Sequence, residues 1–314
     1  VEKSGKVTFK ELVIPGEEGI RLDHFLVARL DGISRTAIQR ALKGGLVTLK
    51  GRPVSANHKT RSAEEFCGVI PPPEPLSAEA TDIPVSVVYE DDDIIIVDKP
   101  SGMVVHPAKG HEKDTLVNAL VFKGKSLSDT GDSIRPGIVH RLDKDTTGLI
   151  AVAKNAAAHA SLSEQLKSRE MGREYLTVVR GIPKAASGEI NKPIGRNKVL
   201  RKKMTVFTAR TTTSRSALTM YETIEAFPLG NAAFLRVGLK TGRTHQIRVH
   251  LSSIGNPVIG DEVYGRQKSN LIDRPALHAA KLTLIHPTTG KTMVFEAPLP
   301  PDFLKLLASL RKRG

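Results

Sequence analysis

The stretch GIVHRLDKDTTGLIAVAKN, Gly137–Asn155, sets two carboxylates, Asp143 and Asp145, among His140, Arg141 and Lys144. Cations on both sides favour the charged form of Asp143. A carboxylate so placed can act as a nucleophile or a general base. It can equally be a turn residue that only makes salt bridges. Asp145 suits the turn role better, because Asp-Thr-Thr-Gly is turn chemistry and its carboxylate can accept from the backbone N–H groups that follow. Ile138-Val139 and Leu149 to Val152, on either side, read as scaffold.

A second chemical stretch is LKTGRTHQIRVHLSSIG, Leu239–Gly255. Ile247, Leu251 and Ile254 recur at helical spacing, with Thr244 as the expected N-cap and Gly255 as the stop. The expected helix starts just after Thr241-Gly242-Arg243 and carries His245, Gln246 and Arg248 in its first turns. A helix N-terminus with added arginines attracts an anion, either a phosphate or an aspartate from another segment. A basic solvated helix would carry the same letters. His245 and His250, five residues apart, are poorly spaced to share a metal. Tyr175 opens the strand pattern REYLTVVRG and, taken alone, reads as a core or edge residue. NKPIGRNKVLRKKMTV holds six basic residues between Lys192 and Lys203 and reads as a flexible basic loop suited to a phosphate backbone, with Arg196, Arg201, Lys202 and Lys203 as its contacts.

Composition narrows the partner. The 314 residues carry 47 Lys plus Arg against 33 acids, a formal charge of +14, and an excess of that size points to a polyanion, nucleic acid first. The counts of 9 Phe, 4 Tyr and no Trp argue against a surface built mainly on exposed aromatic stacking. The single cysteine, Cys67, excludes an intramolecular disulfide and a multi-cysteine zinc site. VEKSGKVTFK has no apolar core and no run approaches the length of a membrane span, so the expectation is a cytoplasmic protein without membrane contact.

The elements that must position these residues fall into two groups. From about Gly19 to Ile70, IRLDHFLVARL puts Ile20, Leu22, Phe25, Leu26 and Leu30 on one helical stripe. ISRTAIQRALKGG forms a second helix, with Ser34 as N-cap, an apolar stripe of Ile33, Ala37, Ile38, Ala41 and Leu42, and Gly44-Gly45 as the stop. Its other face carries Arg35, Gln39 and Lys43 at four-residue intervals, and LVTLKGRPV reads as strand, turn, strand. A Pro-rich linker, residues 71–84, follows. From Val85 the runs DDDIIIVDKP, GLIAVAKN, REYLTVVRG and AAFLRVGLK read as strands. AAAHASLSEQLKSRE reads as a helix with Leu162 and Leu166 on one face. Strands and helices mixed without regular alternation indicate an α+β domain on a mainly antiparallel sheet.

Two resemblances attach to these letters. RLDHFLVARL…SRTAIQRALKGGLVTLKGRPV resembles the S4 RNA-binding domain over roughly 50 residues, with Thr48-Leu49-Lys50-Gly51 standing where that domain has a Val-Asn-Gly turn. DKPSGMVVHP, TLVNAL, RPGIVHRLDKDTTGLIAVAKN, REYLTVVRG, TGRTHQIRVHL, IGDEVYG and LHAAKLTLIHPTTG occur in the order expected of RluA-type pseudouridine synthases, most closely the RluD branch. This second resemblance covers residues 18 to 300.

It implies a pseudouridine synthase fold over 85–314, a mainly antiparallel mixed sheet with flanking helices, preceded by a small α/β S4-like domain over 1–70. It implies isomerisation of uridine in RNA, large-subunit (23S) ribosomal RNA in that branch, by a monomer with no cofactor and no metal. Asp143 falls on the catalytic aspartate, Tyr175 on the tyrosine that packs against the target base, and Arg248 on the arginine that pairs with the aspartate. Arg141 falls on the arginine that enters the RNA, with His140, Arg243 and Gln246 beside it; Arg35 and Lys43 belong to the S4-like RNA face. Thr147 stands where serine is commoner and keeps the hydroxyl. A rival reading comes from DKDTT, which matches the Asp-x-Asp-x-Thr of magnesium-dependent haloacid-dehalogenase-type hydrolases; that pattern needs a buried strand running into the first aspartate, where this chain has His140-Arg141.

Overall fold

A computed structural model describes residues 6–33, 35–71, 80–107, 113–125, 127–128, 136–197, 203–265 and 269–313. The chain divides into two compact units, Val1–Glu79 with Ser128–Pro136 and Ala80–Leu127 with Gly137–Gly314. Of the expected linker, residues 72–79 lie outside the described residues, as does the expected cap Ser34.

The first unit runs β1 (Val7–Leu12), α1 (Leu22–Arg29), α2 (Arg35–Lys43), β2 (Val47–Leu49), β3 (Arg52–Pro53) and β4 (Glu65–Ile70). Its four strands form one antiparallel sheet in the order β1-β4-β2-β3. The helical stripes bury Leu22, Phe25, Leu26 and Leu30 from α1 and Ala37, Ile38, Ala41 and Leu42 from α2 against Phe9, Val47 and Phe66 of the sheet. Ile20 stays exposed. Gly45, at φ +71°, stops α2, and Leu46 N donates back to Ala41 O at 2.9 Å. Lys50 and Gly51 both take positive φ, the turn that joins two strands by two residues. Strand β1 precedes the expected start near Gly19, and it completes the sheet by pairing with β4.

Asp23 is wholly buried in this unit. It accepts from Arg21 Nε at 3.0 Å, Arg35 Nη2 at 2.8 Å and Gln39 Nε2 at 2.7 Å. Burial alone would raise its pKa, but these hydrogen bonds hold the carboxyl below its ordinary value. Along the expected RNA-facing row of α2, Arg35 and Gln39 hydrogen-bond Asp23, and Arg35, Gln39 and Lys43 all stay exposed.

The second unit runs β5 (Ser86–Glu90), β6 (Ile94–Lys99), α3 (Leu116–Phe122), β7 (Thr147–Ala153), α4 (Ala156–Ser168), β8 (Gly172–Arg180), β9 (Ser187–Asn191), β10 (Ile194–Arg196), β11 (Met204–Val206), β12 (Ser214–Arg215), β13 (Leu218–Phe227), β14 (Ala232–Leu239), α5 (Gln246–Ser253), β15 (Leu277–Ile285), β16 (Thr292–Glu296) and α6 (Pro301–Arg311). Its main sheet has nine strands in the order β5-β6-β7-β15-β8-β14-β13-β9, with β16 added on β15. Only β7 and β15 pair in parallel, so the sheet is mixed but mainly antiparallel, and the unit is α+β.

Every residue of β7 is buried, which is why its sequence is a continuous apolar run rather than an alternation. Helix α4 opens at Asn155, whose side chain accepts from Ala158 N at 2.9 Å, and packs Ala158 and Leu162 on Ile94, Ile96, Leu149 and Ala151. Helix α6 sets Phe303 edge-on to Phe234 of β14, ring centroids 6.0 Å apart.

The stretch expected to be a flexible basic loop is a hairpin at its ends: β10 and β11 pair antiparallel, and Asn197 N donates to Lys203 O at 2.9 Å. Ile194, Met204 and Val206 pack with Val249, an apolar pattern hidden by the basic residues between them. Arg196 is exposed and Lys203 half-buried, while Arg201 and Lys202 lie outside the described residues. Among the described residues no helix is long and apolar enough to cross a membrane.

Candidate active site

Asp143 sits on a turn that leads into β7 rather than out of a strand; among the described residues no strand runs into it, unlike the hydrolase pattern that DKDTT suggested. Two buried cations grip the turn by its carbonyls. Lys99 Nζ donates to Pro100 O at 2.8 Å, to Met103 O at 2.9 Å and to Lys144 O at 2.9 Å. Arg274 Nη1 donates to Asp145 O at 3.4 Å while its other nitrogens hold Asp302 at 2.6 and 2.9 Å. Burial pushes the Lys99 pKa down to about 7, with Asp145 and Asp143 working in the opposite direction. The three carbonyls match one each to the three N–H groups of the ammonium.

Asp145 plays a different part from the one expected: among the described residues its carboxylate bonds none of the following N–H groups, and Thr146 N closes the turn onto Asp143 O at 3.1 Å. Gly148 then lets β7 meet β15. It sits at φ +108°, and a Cβ there would lie 2.3 Å from Ala279 O.

Asp143 Oδ2 accepts from Arg248 Nη1 at 2.9 Å. Arg248 comes from α5, an eight-residue helix whose residues Gln246 to Leu251 are all buried, the polar ones included. Its remaining guanidinium edge forks onto Asp261, Nε to Oδ2 at 2.6 Å and Nη2 to Oδ1 at 3.0 Å, and its Cζ lies 5.3 Å from the Tyr264 ring centroid. Burial works against a charged guanidinium, but Asp261 and then Asp143 outweigh it and raise the Arg248 pKa above its ordinary value. Asp143 Oδ1 has no hydrogen-bond partner among the described residues, and its side chain keeps 18% exposure. One oxygen is held and the other is open.

His245 stands beside this pair, with Nε2 at 4.0 Å from Asp143 Oδ2. Met204 N donates to the Tyr264 hydroxyl at 2.9 Å, and the same hydroxyl is hydrogen-bonded to His245 Nδ1 at 3.0 Å. Burial lowers the His245 pKa, which keeps the ring neutral. His245, in the left-handed conformation at φ 55°, and not Thr244, occupies the cap position of α5.

Tyr175 is buried in β8 between Val237 of β14 and Ala279 of β15. Burial raises its pKa; Arg173 opposes and the Asp143 charge adds to the rise, so the phenol stays protonated and both charged groups are near it.

Two residues expected to touch RNA are committed elsewhere. Gln246 is buried, with Nε2 donating to Leu218 O and Thr219 Oγ1 at 3.0 Å each and Oε1 accepting from Thr241 Oγ1 at 2.8 Å and Arg243 N at 3.0 Å. All its bonding capacity is used inside the fold, so it shapes the loop before α5. His140 Nε2 accepts from Ala151 N at 3.0 Å and pins the Asp143 turn to β7; burial, then Arg173, lowers its pKa to about 3. Arg141 is exposed next to Asp143, and Arg243 is half-buried with Nε donating to Ser216 O at 3.2 Å.

Asp261, Tyr264, His245 and Lys99 are the members that reading the sequence did not assign. The readable signal was in IGDEVYG and DKP, and in the need of a buried arginine for a second carboxylate. The described residues hold one trio with metal-ligand spacing, Asp91, Asp93 and His286. There His286 Nδ1 accepts from Thr288 N and Thr289 N, so Nε2 carries the proton and donates to Asp91 at 2.8 Å, a hydrogen-bonded clamp between two turns.

An aspartate with one free oxygen, a fixed guanidinium on the other and a neutral imidazole alongside is equipped for nucleophilic or general-base chemistry. The family model described as RNA pseudouridylate synthase matches residues 93–253, which contain Asp143, Tyr175 and Arg248. An uncharacterized RNA pseudouridine synthase of Bacillus subtilis is 44% identical over 94% of this chain and 95% of its own length. The ribosomal large subunit pseudouridine synthase D of Zymomonas mobilis is 41% identical, covering 97% of each chain. The solved structure of human RNA pseudouridylate synthase domain containing 1 superposes with a TM-score of 0.56 at 26% identity, over 74% of this chain and 96% of that one. The match to the family model and the near full-length relatives show that the chain belongs to the RNA pseudouridylate synthase family and is an isomerase of RNA.

Proposed function

We propose that Asp143 is the catalytic residue of uridine isomerisation, with Arg248 as its fixed counter-ion and Tyr175 packed beside the target base. The reaction breaks the N1–C1′ bond, turns the uracil and joins C5 to C1′; the proton lost from C5 is matched by one gained at N1. Asp143 Oδ1 would attack C1′ or take a proton from C2′. The observation that carries this reading is the unequal treatment of the two Asp143 oxygens, Oδ2 bonded to Arg248 and Oδ1 open. The target uridine must leave its stack, at a cost of a few kcal/mol that contacts to flanking RNA offset. Exposed Arg141, half-buried Arg243 and the ends of the β10–β11 hairpin are the contacts this reading assigns.

The substrate is proposed to be large-subunit ribosomal RNA. The full-length similarity to a relative named for that subunit and the charge of +14 support it. The first unit is proposed to be an S4-like RNA-binding module, supported by its two packed helices, its short hairpin and exposed Lys43. Pseudouridine mapping of ribosomal RNA from cells with and without the protein tests the reading. Sites in large-subunit RNA that vanish with the protein are expected. An unchanged map of that RNA would overturn the substrate assignment.

A further inference from the structure

Among the described residues seven arginines, Arg21, Arg29, Arg35, Arg236, Arg248, Arg274 and Arg311, pair with carboxylates. Of those that make no ion pair there, four in the second unit, Arg169, Arg173, Arg215 and Arg243, are gathered in one place. Arg173, from β8, lies over the loop before α5, with Nη1 2.6 Å from where a Cβ on Gly242 would stand. Arg243, the next residue, reaches Ser216 O with Nε at 3.2 Å, alongside Arg215. Arg169 caps α4 four residues before Arg173.

Burial, followed by the charges of Arg215, Arg169 and Arg173, lowers the Arg243 pKa below its ordinary value. Burial contributes most, and the like charges of the three neighbouring arginines add to it. Arg173 Nε is fully buried and has no hydrogen-bond partner, and His140 Nδ1, whose ring feels the Arg173 charge, is in the same condition. Unmet buried donors are costly, more so when charged, and clustered like charges add to that. Such an arrangement is relieved by a ligand that brings several anionic acceptor oxygens.

We propose that Arg173, Arg215 and Arg243, with Arg169 at the rim, form a phosphate subsite that seats one phosphodiester of the RNA strand beside the uridine held at Asp143. Its place supports this: Arg173 precedes Tyr175 by two residues on the same strand face, and the loop that carries Arg243 leads directly into the helix that carries Arg248. Guanidinium groups suit a phosphate because their planar forks match its oxygens in pairs. The inference rests on RNA being the substrate.

The test is equilibrium binding of a short fluorescent oligouridylate by the full chain as a function of sodium chloride, for wild type, Arg215→Gln, Arg243→Gln, Arg173→Gln and the control Lys305→Gln, an exposed residue of α6. Each arginine–phosphate pairing that a variant removes is expected to make the slope of log K against log salt shallower by roughly 0.7, with Lys305→Gln unchanged. Arg215→Gln and Arg243→Gln keep the test decisive if Arg173→Gln does not fold. Slopes for those two parallel to wild type, or an equal change in the Lys305 control, would overturn the subsite. Pseudouridine formation by wild type on ribosomal RNA is measured alongside, so that failure of the subsite and failure of the RNA reading are told apart.

Discussion

Arg248 is anchored by Asp261 on the edge it does not offer to Asp143: Nε and Nη2 take both oxygens of Asp261, and Nη1 alone reaches Asp143 at 2.9 Å. The fork fixes the plane of the guanidinium, and so fixes which Asp143 oxygen is bonded and which is open. Lysine cannot reproduce this, because an ammonium has no second edge to hold. Arg248→Lys is expected to lower kcat roughly a hundredfold or more, the usual cost of removing one oriented donor from an active site, while RNA affinity stays near wild type. A single-turnover assay with a parallel binding titration checks it; a wild-type rate would remove Arg248 from the site.

The Tyr264 hydroxyl is hydrogen-bonded to His245 Nδ1. Tyr264→Phe keeps the ring over Arg248 but removes that hydrogen bond and frees the imidazole to turn. The rate is expected to fall while thermal stability moves little. The ring proton signals of His245 should shift. An unchanged histidine spectrum would contradict the contact.

His140 contributes a defined pH dependence to stability. Folded, its pKa lies at about 3; unfolded, it returns to about 6.5. Between these values the unfolded chain binds more protons than the folded one, so stability falls as pH drops through that window. His140→Asn removes this contribution. The Tm of wild type is expected to fall more steeply than that of the variant from pH 6.5 toward about 3, and parallel curves would contradict the assignment.

Gly148 is expected to tolerate no side chain. With φ at +108° and Ala279 O only 2.3 Å from the position a Cβ would take, Gly148→Ala must push β7 away from β15 beside the Asp143 turn. A loss of about 1–3 kcal/mol or more is expected from overpacking and backbone strain, read as a lowered denaturation midpoint. A midpoint at the wild-type value would show that the turn is looser than its geometry indicates.

Much of this was legible in the letters, for reasons that can be named. The strands of GLIAVAKN and REYLTVVRG, the α1 and α2 stripes and the Lys50-Gly51 turn each carry a local signal that burial follows directly. Asp143 and Arg248 were legible as a pair through the family resemblance of their motifs; the residues alone left the partner of α5 open between a phosphate and an aspartate. What escaped is long-range. Asp23 looks like any surface acid until α2 brings Arg35 and Gln39 onto it. Gln246 looks like a surface donor until β13 supplies Leu218 O and Thr219. The β10–β11 pairing was masked by the basic residues between two short apolar runs. Asp261 was missed because nothing local to GDEVYG says that it faces an arginine thirteen residues earlier.

That the open oxygen of Asp143 does the chemistry is tested most directly by Asp143→Asn. The amide keeps the size and an acceptor toward Arg248 but removes the anionic oxygen. Pseudouridine in large-subunit ribosomal RNA incubated with the purified variant is expected to fall to background, while its affinity for that RNA stays within a few-fold of wild type. Pseudouridine formed by Asp143→Asn at the wild-type rate would contradict this role.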